Sequence, residues 1–340
     1  MRRLAQRVAV LLAWSAAAVA QSAVAARPGP TVAAVGFTVR DLERSLRFYT
    51  EVLHFTEVGR RERMGDDEER LQGVFGLRTV TATLRLGEER LELTEFLTPR
   101  GRALPEDGRS NDRWFQHVAI VVGDMDRAYA ELRRHGVRHV SPAPQTLPAW
   151  NAAAAGIRAF YFQDPDGHAL EVLQFPPDKG EARWQAKDGA LFLGIDHTAI
   201  VVADTAASLR AWRDELGFTV VGTAENHGVE QERLNSVFGA RLRITTLRGA
   251  GGPGVELLEY LAPAGGRPCP RDTAANDLWH WVVTVEVADA VARRVPAVGG
   301  WNGVSPAPVR RDGRAERLLH DADGHRALLV TGAAADRPAR

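Results

Sequence analysis

Apolar and polar positions along the chain follow one short pattern that recurs four times. The segment "AAVGFTVRDLERSLRFYTEVLHF" predicts a strand and then a helix, because Asp41 stands where a helix N-cap is expected and apolar residues follow at helical spacing. The segment "HVAIVVGDMDRAYAELRRHGV" repeats this order with Asp124 as the cap. Strands such as "TVTATLRLG", "ERLELTEFL" and "HALEVLQF" come between and after these helices. The pattern predicts an α+β fold of four units, each made of a strand, a helix and three further strands.

The four units group into two halves, because the chain contains a long internal repeat. "ERLQGVFG" (69–76) returns as "ERLNSVFG" (232–239), "LELTEFLTP" returns as "VELLEYLAP", and "DPDGHALEV" returns as "DADGHRALL". We therefore predict two homologous domains, residues 31–175 and 191–332. The segment between them, 176–190, is polar and contains Pro and Gly, as is typical of a linker.

The first residues have the order of a secretory signal. Arg2, Arg3 and Arg7 precede an apolar run, "VAVLLAWSAAAVA", and small residues follow it. This run is too short for a permanent membrane helix. We predict a signal peptide over residues 1–25, a periplasmic or secreted mature protein, and no membrane attachment after the signal is removed.

Composition narrows the possible partners. The 340 residues have a formal net charge of zero and are 45% hydrophobic and 25% charged, which predicts no nucleic-acid surface. Cys269 is the only cysteine, so an exported chain would contain no disulfide. Its loop, "RPCPRD", has no adjacent base, which argues against a catalytic thiol. The sequence leaves the oligomeric state open, and its repeat is compatible with a monomer built like a dimer.

The motifs "VRDLERSLRFYTEVLHF", "HVAIVVGDMDRAYAELRRHGV" and "YFQDPDGHALEVLQF" resemble those of the vicinal oxygen chelate superfamily. This superfamily includes glyoxalase I, methylmalonyl-CoA epimerase, extradiol dioxygenases, and fosfomycin- and bleomycin-resistance proteins. The resemblance covers nearly all of the chain after the signal. It implies two glyoxalase-like domains in which pairs of βαβββ units form open, mixed β-cups, and each cup holds a divalent metal through the first and fourth strands of its two units.

Eight positions of this chain match the ligand positions that the resemblance implies. In chain order they are Ala34, Glu92, His117, Glu171, His197, Glu256, Val282 and Leu328. Neither domain has a complete set, but the second and third units together do. Because some members build a cup between two domains, we predict that these two units form a working middle cup and that the first and fourth form a vestigial outer cup. The predicted metal ligands are His117, Glu171, His197 and Glu256.

Other interpretations of these residues remain open. A lone buried His or Glu in a strand is more often a hydrogen-bonded structural residue than a ligand. Glu92 survives in the outer cup, so Glu256 by itself is weak support, and a site within one domain or an empty cup stays possible. His168 and His325 recur in both halves and are predicted to be turn residues or residues that support a ligand without binding the metal. His280 lies two residues before Val282, and only a slipped register would make it a ligand.

The resemblance implies one divalent ion (Ni, Co, Mn, Fe or Zn) and a reaction at a small carbonyl substrate that chelates it through two oxygens. In a glyoxalase- or epimerase-like lyase or isomerase, Glu171 or Glu256 would act as the catalytic base. The first alternative is an extradiol-type dioxygenase with His117, His197 and Glu171 around Fe²⁺ and Glu256 as a spectator. The second is a binding or resistance protein without chemistry. Predicted export argues against glyoxalase I itself, whose usual thiol cosubstrate is cytosolic.

Overall fold

The computed structural model describes residues 29–185, 189–295 and 299–332. The signal peptide predicted over residues 1–25 lies outside the described residues. Within the described part of the chain, no helix combines the length and the apolar character needed to cross a membrane.

The described chain contains eighteen strands, and they form four successive groups that correspond to the predicted units. The first unit has β1 (Thr31–Val39), β2 (Thr56–Met64), β3 (Arg78–Leu86) and β4 (Glu89–Thr98). The second has β5 (Gln116–Val122), β6 (Arg138–His139), β7 (Gln145–Thr146), β8 (Arg158–Gln163) and β9 (Ala169–Gln174). The third has β10 (Phe192–Val202), β11 (Thr219–His227), β12 (Arg241–Arg248) and β13 (Gly254–Ala262). The fourth has β14 (Trp281–Glu286), β15 (Asn302–Gly303), β16 (Val309–Arg311), β17 (Arg314–His320) and β18 (Arg326–Thr331).

Six short α-helices connect these strands in the described part of the chain. They are α1 (Leu42–Arg47), α2 (Asp66–Gln72), α3 (Met125–Arg134), α4 (Thr205–Leu209), α5 (Val229–Asn235) and α6 (Asp289–Arg294). Helices α1 and α4 continue as π-helical turns over Phe48–Val52 and Arg210–Glu215, and a 3₁₀ turn covers Ala182–Gln185. The predicted α+β fold of strand–helix–three-strand units is confirmed, and α2 and α5 are additions within the first and third units.

Acidic N-caps begin the helices that follow the opening strands of the first three units. The carboxylates of Asp41, Asp124 and Asp204 each accept a hydrogen bond from the backbone N–H three residues later, at 2.9, 3.0 and 2.6 Å. Helix α6 begins after Ala288, which has no capping side chain. The caps predicted at Asp41 and Asp124 are therefore present.

Two nine-stranded sheets organise the molecule, and each takes strands from both halves of the sequence. The outer sheet has the order β15-β17-β18-β14-β1-β4-β3-β2, with β16 beside β17. The middle sheet has the order β11-β12-β13-β10-β5-β9-β8-β6, with β7 beside β8. The first and fourth units thus share one sheet, and the second and third share the other, which is the predicted pairing. Antiparallel seams join the units, β1 with β14 and β5 with β10.

The main apolar core is continuous through all four units. It includes side chains such as Val35, Ile120, Ile200 and Val283 from the four opening strands. Every residue of β5 is buried, so this strand is covered on both faces. A histidine on β5 is therefore held in a dry environment.

Two chain segments, 99–115 and 263–280, cross between the sheets. Two arginine–aspartate ion pairs, here called the crossover clasps, hold these segments together. Arg102 binds the Asp277 carboxylate through its backbone N–H at 2.9 Å, Nε at 3.0 Å and Nη2 at 2.6 Å. Arg267 makes the same three contacts with Asp112, at 3.0, 3.0 and 2.6 Å. Glycine precedes each arginine because the backbones nearly touch. A Cβ at Gly266 would lie 1.6 Å from the carbonyl oxygen of Asn111.

We expect Gly266→Ala to lower the free energy of unfolding by about 1–3 kcal/mol, because the added methyl group forces these crossovers apart. Urea unfolding of the full chain measures the effect. Gly59→Ala is the matched control, since nothing lies within 4 Å of a Cβ built there. Equal stability of the two variants would show that the crossovers separate without cost.

Candidate metal centre

The structure brings all four predicted ligand residues to one face of the middle sheet. They lie on four adjacent strands, β13, β10, β5 and β9, whose side chains on this face are, in that order, Glu256, His197, His117 and Glu171. Two of the strands belong to the second unit and two to the third. The cup therefore combines side chains from both halves of the chain.

Strand register explains why these side chains meet. Ala119 lies level with His197 on β10 and with Glu171 on β9, and Ala199 lies level with the other two residues. Side chains alternate faces along a strand, so residues level with one another share a face. The two alanines lie between the four longer side chains and leave room for the longer groups to converge.

Three of the four residues form a tight cluster. Glu171 Oε2 lies 3.1 Å from His117 Nε2 and 3.7 Å from His197 Nε2. One nitrogen or oxygen atom from each of these buried side chains lies within 4.8 Å of the others, a spacing that could hold a metal ion. Nowhere else among residues 29–185, 189–295 and 299–332 do three His, Cys, Asp or Glu side chains come this close.

Glu256 lies beside this cluster. Its Oε2 is 3.4 Å from His197 Nε2, and its Oε1 accepts a hydrogen bond from Thr246 Oγ1 at 2.8 Å. The side chain is 18% exposed, about twice as much as Glu171. The fourth predicted residue is therefore present but looser, and it faces the open part of the cup.

His117 supplies the test of whether these residues fit a metal ion. Its side chain is 1% exposed, and neither ring nitrogen has a hydrogen-bond partner. The distance between His117 Nε2 and Glu171 Oε2 would allow a hydrogen bond, but the angles at the two atoms do not form one. Buried imidazoles without partners are rare because the lost hydrogen bonds cost free energy. A nitrogen that faces a carboxylate and a second imidazole suits a shared divalent ion.

Asp196 orients the second histidine. Its Oδ2 lies 2.8 Å from His197 Nδ1, and its Oδ1 accepts from Arg248 Nη2 at 2.7 Å. A carboxylate on Nδ1 favours the tautomer that leaves Nε2 free to face the cluster. The sequence prediction did not include Asp196. One available signal was the repeat, since the matching residues in the first half are Ala33 and Ala34, so the acid and the histidine are both absent there.

Surrounding charges favour a protonated His197 in the metal-free protein. Burial lowers the pKa of its imidazole, but Glu256, Asp196 and Glu171 together raise that pKa to about 9. Burial also opposes ionisation of Asp196, yet His197 and Arg248 hold the pKa of its carboxyl well below the ordinary value. The cup therefore has a strong preference for positive charge.

A cavity of about 480 Å³ opens onto the cluster, and Glu171, His197 and Glu256 form part of its wall. Much of the remaining wall is apolar and includes Leu147, Ile157, Leu173, Val221, Leu234 and Leu258. Arg248 also reaches this wall, but it is already engaged by Asp196. The size and the mostly apolar lining are typical of a small-molecule site.

A chain of buried amide side chains braces one side of the cavity. Asn151 donates to Asn226 at 2.5 Å, Asn226 donates to Gln231 at 3.0 Å, and Gln231 donates to Asn235. Asn235 then donates to the Tyr260 hydroxyl at 2.7 Å. This series of hydrogen bonds links the loop after β7 to helix α5 through neutral side chains only. It joins the second unit to the third beside the cavity, where Asn226 and Gln231 form part of the wall.

The outer cup has lost its ligand set. Glu92 is held by Arg61, whose Nη1 and Nη2 contact the two carboxylate oxygens at 2.9 and 3.1 Å. Val282 and Leu328 pack on a small apolar cluster formed by Leu71, Val309 and Leu318. In place of a ligand cluster, the outer cup contains apolar packing, the Arg61–Glu92 ion pair and ion pairs of Arg311 with Glu68 and Glu316.

The histidines of the two "DGH" turns hydrogen-bond to backbone carbonyl groups outside their own turns. His168 contacts the Asp164 carboxylate at 2.9 Å and the Leu278 carbonyl oxygen at 2.6 Å. His325 contacts the Val201 carbonyl oxygen at 2.7 Å. Each imidazole thereby ties a turn of one sheet to a segment that leads to or belongs to the other.

Both halves of the chain match the family model described as the Glyoxalase/Bleomycin resistance protein/Dioxygenase superfamily, over residues 31–172 and 194–329. The protein belongs to this superfamily. The resemblance found in the sequence motifs is thus confirmed, and the vicinal oxygen chelate fold occurs here in two copies.

Individual relatives are similar over part of the chain. The 2-epi-5-epi-valiolone epimerase of Actinomyces sp. is 36% identical over 149 residues, which is 42% of this chain and 78% of that protein. The uncharacterized protein YwbC of Bacillus subtilis (strain 168) is 28% identical over 141 residues, 41% of this chain and 93% of that one. The crystal structure of glyoxalase I from Zea mays shares the fold, with a TM-score of 0.60 at 17% identity over 89% of this chain and 92% of that one.

The raised pKa of His197 predicts that the metal-free protein loses stability as the pH rises from about 6.5 to about 9. The unfolded chain releases this proton near pH 6.5, whereas the folded protein keeps it up to about pH 9. The stabilisation is therefore complete below about 6.5 and disappears as the pH passes the folded pKa. Thermal unfolding in EDTA across this range should show the decrease, and His197→Gln should not. The same slope in both proteins would mean that His197 is not charged.

Proposed function

We propose that the protein is a divalent-metal-dependent enzyme that moves a proton on the carbon next to a carbonyl, as an epimerase or a glyoxalase-like isomerase or lyase does. The single observation that carries this proposal is the cluster of His117, Glu171 and His197, with the more exposed Glu256 beside it at the cavity wall. The similarity to an epimerase of the same superfamily supports this class of reaction.

His117, Glu171 and His197 would hold the ion, with Glu256 as the fourth residue. When bound, a divalent ion in such a site polarises the oxygens of the substrate and stabilises the negative charge that develops on them. Two neutral imidazoles and two carboxylates balance its charge, and this mixed set suits Ni²⁺, Co²⁺, Mn²⁺, Fe²⁺ or Zn²⁺.

Glu256 is the better candidate for the catalytic base. Both acids line the cavity, but Glu171 lies between the two imidazoles, whereas Glu256 lies outside the tight cluster and its side chain is about twice as exposed. The hydrogen bond from Thr246 holds one oxygen of Glu256 in place and leaves the other near the reacting region. A carboxylate in this position can take a proton from the substrate and return it, on the same or the other face.

The substrate is proposed to be a small carbonyl compound with a neighbouring oxygen. The cavity is large enough for a small ring compound, and its apolar wall keeps water from the reacting carbon. The named relative makes 2-epi-5-epi-valiolone the first compound to test. If the predicted signal over residues 1–25 is used, the reaction takes place in the periplasm or outside the cell.

A second candidate, an extradiol-type dioxygenase, is favoured by one observation. The tight cluster has two histidines and one carboxylate, the set that holds Fe²⁺ in many oxygenases. In that enzyme Glu256 would be an accessory group. Oxygen uptake with catechols by the iron-loaded protein would distinguish it from proton transfer.

Metal content tests the assignment of the ligands. We expect the reconstituted protein to hold about one ion per chain, and His117→Ala to weaken binding by more than the roughly 10–100-fold typical of changes outside the direct ligands. Glu92→Ala is the matched control and should keep its metal, because Glu92 binds Arg61 in the outer cup. Elemental analysis after gel filtration gives the content. Equal losses in the two variants would contradict a single middle site.

Proton exchange tests the base. Glu256→Gln should retain metal but lower the exchange of the substrate proton by roughly 10²–10⁴-fold, because the amide cannot accept it. Deuterium incorporation from D₂O into 2-epi-5-epi-valiolone and other α-hydroxyketones, followed by NMR, measures the rate.

Glu259→Gln is the control for that experiment, since Glu259 lies three residues further along β13 and contacts Arg243 and Thr205 outside the cup. Unchanged exchange in Glu256→Gln would exclude this residue as the base. If the metal-loaded wild-type protein shows neither exchange nor oxygen uptake but still binds these compounds, it is a binding protein.

A further inference from the structure

A second cavity, of about 580 Å³, lies at the edge of the outer cup. It is bounded by the crossover segment 269–275, the residue before β14, and the turn before β18. It shares no lining residue with the cavity of the middle cup. Its chemistry is therefore separate from the proposed metal centre.

The residues that line this cavity differ in type and charge from the matching residues in the first half of the chain. The repeat aligns "GRALPEDGRSNDRWF" with "GRPCPRDTAANDLWH" and "DPDGHA" with "DADGHR". Four positions that are Leu104, Glu106, Phe115 and Ala169 in the first half become Cys269, Arg271, His280 and Arg326 in the second. All four of the second-half residues line the cavity. The replacements remove one negative charge and add two positive charges.

Arg326 forms no ion pair with any of the described residues. Its guanidinium donates to the carbonyl oxygens of Gly324 at 2.9 Å and Thr273 at 3.2 Å, but no carboxylate of the described residues lies within 4 Å of it. Burial lowers the pKa of this guanidinium, although Cys269, Asp277 and Asp321 oppose the effect. A partly buried cation that contacts two carbonyl oxygens and the Cys269 thiol, but no carboxylate, is incompletely compensated.

The acids at the cavity are already paired elsewhere. Asp272 is bound by Arg102 at 2.9 Å, and Asp323 accepts from the backbone of Ala203 at 2.9 Å and lies 3.6 Å from Arg113. Arg271, in contrast, is exposed and has no ion-pair partner in the described part of the chain. The two acids of the cavity wall are therefore held by groups outside it, whereas neither arginine of the wall has an ion-pair partner among the described residues.

His280 adds an unpartnered polar group to the same wall. His280 is 5% exposed, and its Nε2 has no hydrogen-bond partner among the described residues. Burial and then the charge of Arg326 hold the pKa of this imidazole well below its ordinary value, so it is neutral and offers one N–H. His280 lies just before β14, and its carbonyl oxygen accepts a hydrogen bond from the backbone N–H of Thr38. It does not lie opposite Ala34, as a slipped register would require, because Thr284 occupies that position.

We propose that this second cavity binds a small anion through carboxylate or phosphate oxygens, with Arg326 as the ionic contact and His280 as a hydrogen-bond donor. Such oxygens satisfy the two groups that the protein leaves without partners. A metal cation does not fit, because Arg271 and Arg326 repel it and no third ligand lies near Cys269 and His280 among the described residues.

Cys269 provides a reporter for occupancy, because it is the only cysteine in the chain and lines this cavity. Its Sγ lies against the turn before β18, 3.1 Å from where a Cβ on Gly324 would stand. An anion held by Arg326 would cover this thiol. N-ethylmaleimide is a suitable reagent because it carries no charge and responds little to ionic strength.

The test uses the full, metal-loaded protein with inorganic phosphate and, separately, malonate at constant ionic strength. We expect at least one of these anions to slow labelling of Cys269 saturably and to give a matching calorimetric isotherm. Protection by phosphate alone would indicate a phosphate ester as the natural ligand, and protection by malonate alone would indicate a carboxylate.

Arg326→Ala should weaken this binding by about tenfold or more, as loss of a charge-assisted contact does. The first half has Ala169 at this position, so the fold accommodates the change. Arg310→Ala removes the same charge from an exposed position on β16 and should bind like the wild type. His117→Ala should also bind, which separates this site from the metal centre. Absence of saturable binding, or equal affinity in Arg326→Ala, would overturn the proposal.

Discussion

The antiparallel seam between β5 and β10 is the constraint on which the candidate site depends. It places Ala119 opposite His197 and Ala199 opposite His117, so the two imidazoles from different halves of the chain face the same cup. Side chains alternate faces along a strand, and a shift of one residue would turn His197 away from the cluster. Burial of β5 on both faces resists such a shift, because it would place polar groups in the core. The stability of the apolar core thus fixes the geometry of the polar site.

Much of the fold could be predicted because it depends on patterns of apolar and polar residues within short segments of the sequence. Helical spacing after Asp41 and Asp124 identified the helices, and the repeat identified four related units. The pairing of those units was predicted from the distribution of His and Glu, since only the second and third units together retain a full set. Helices α2 and α5 were not predicted, because each is a seven-residue helix whose place depends on the sheet beneath it. The crossover clasps also depend on contacts between residues far apart in the sequence.

The candidate site was predicted in outline but not in detail. His117, Glu171 and His197 converge, while Glu256 lies to one side, and strand register alone could not distinguish these two positions. Asp196 was missed because residues next to each other on a strand normally face opposite ways. A β-bulge between Ile195 and His197 breaks that alternation and lets both side chains reach the cup. The outer sheet has a similar irregularity between Val32 and Ala34, so the backbone feature persists where the acid and the histidine do not.

The order of strands in the two sheets also determines which sheet can be completed first during synthesis. The middle sheet joins units that are consecutive in the chain, whereas the outer sheet joins the first unit to the last. Thr31 pairs with Glu286, a separation of 286 − 31 = 255 residues. During synthesis β1 therefore has no β14 to pair with until the fourth unit has left the ribosome. Until then the long edge of β1 has only β4 as a neighbour. Such an unpaired edge invites association with other chains, and the nascent protein is most exposed to this hazard just before translation ends.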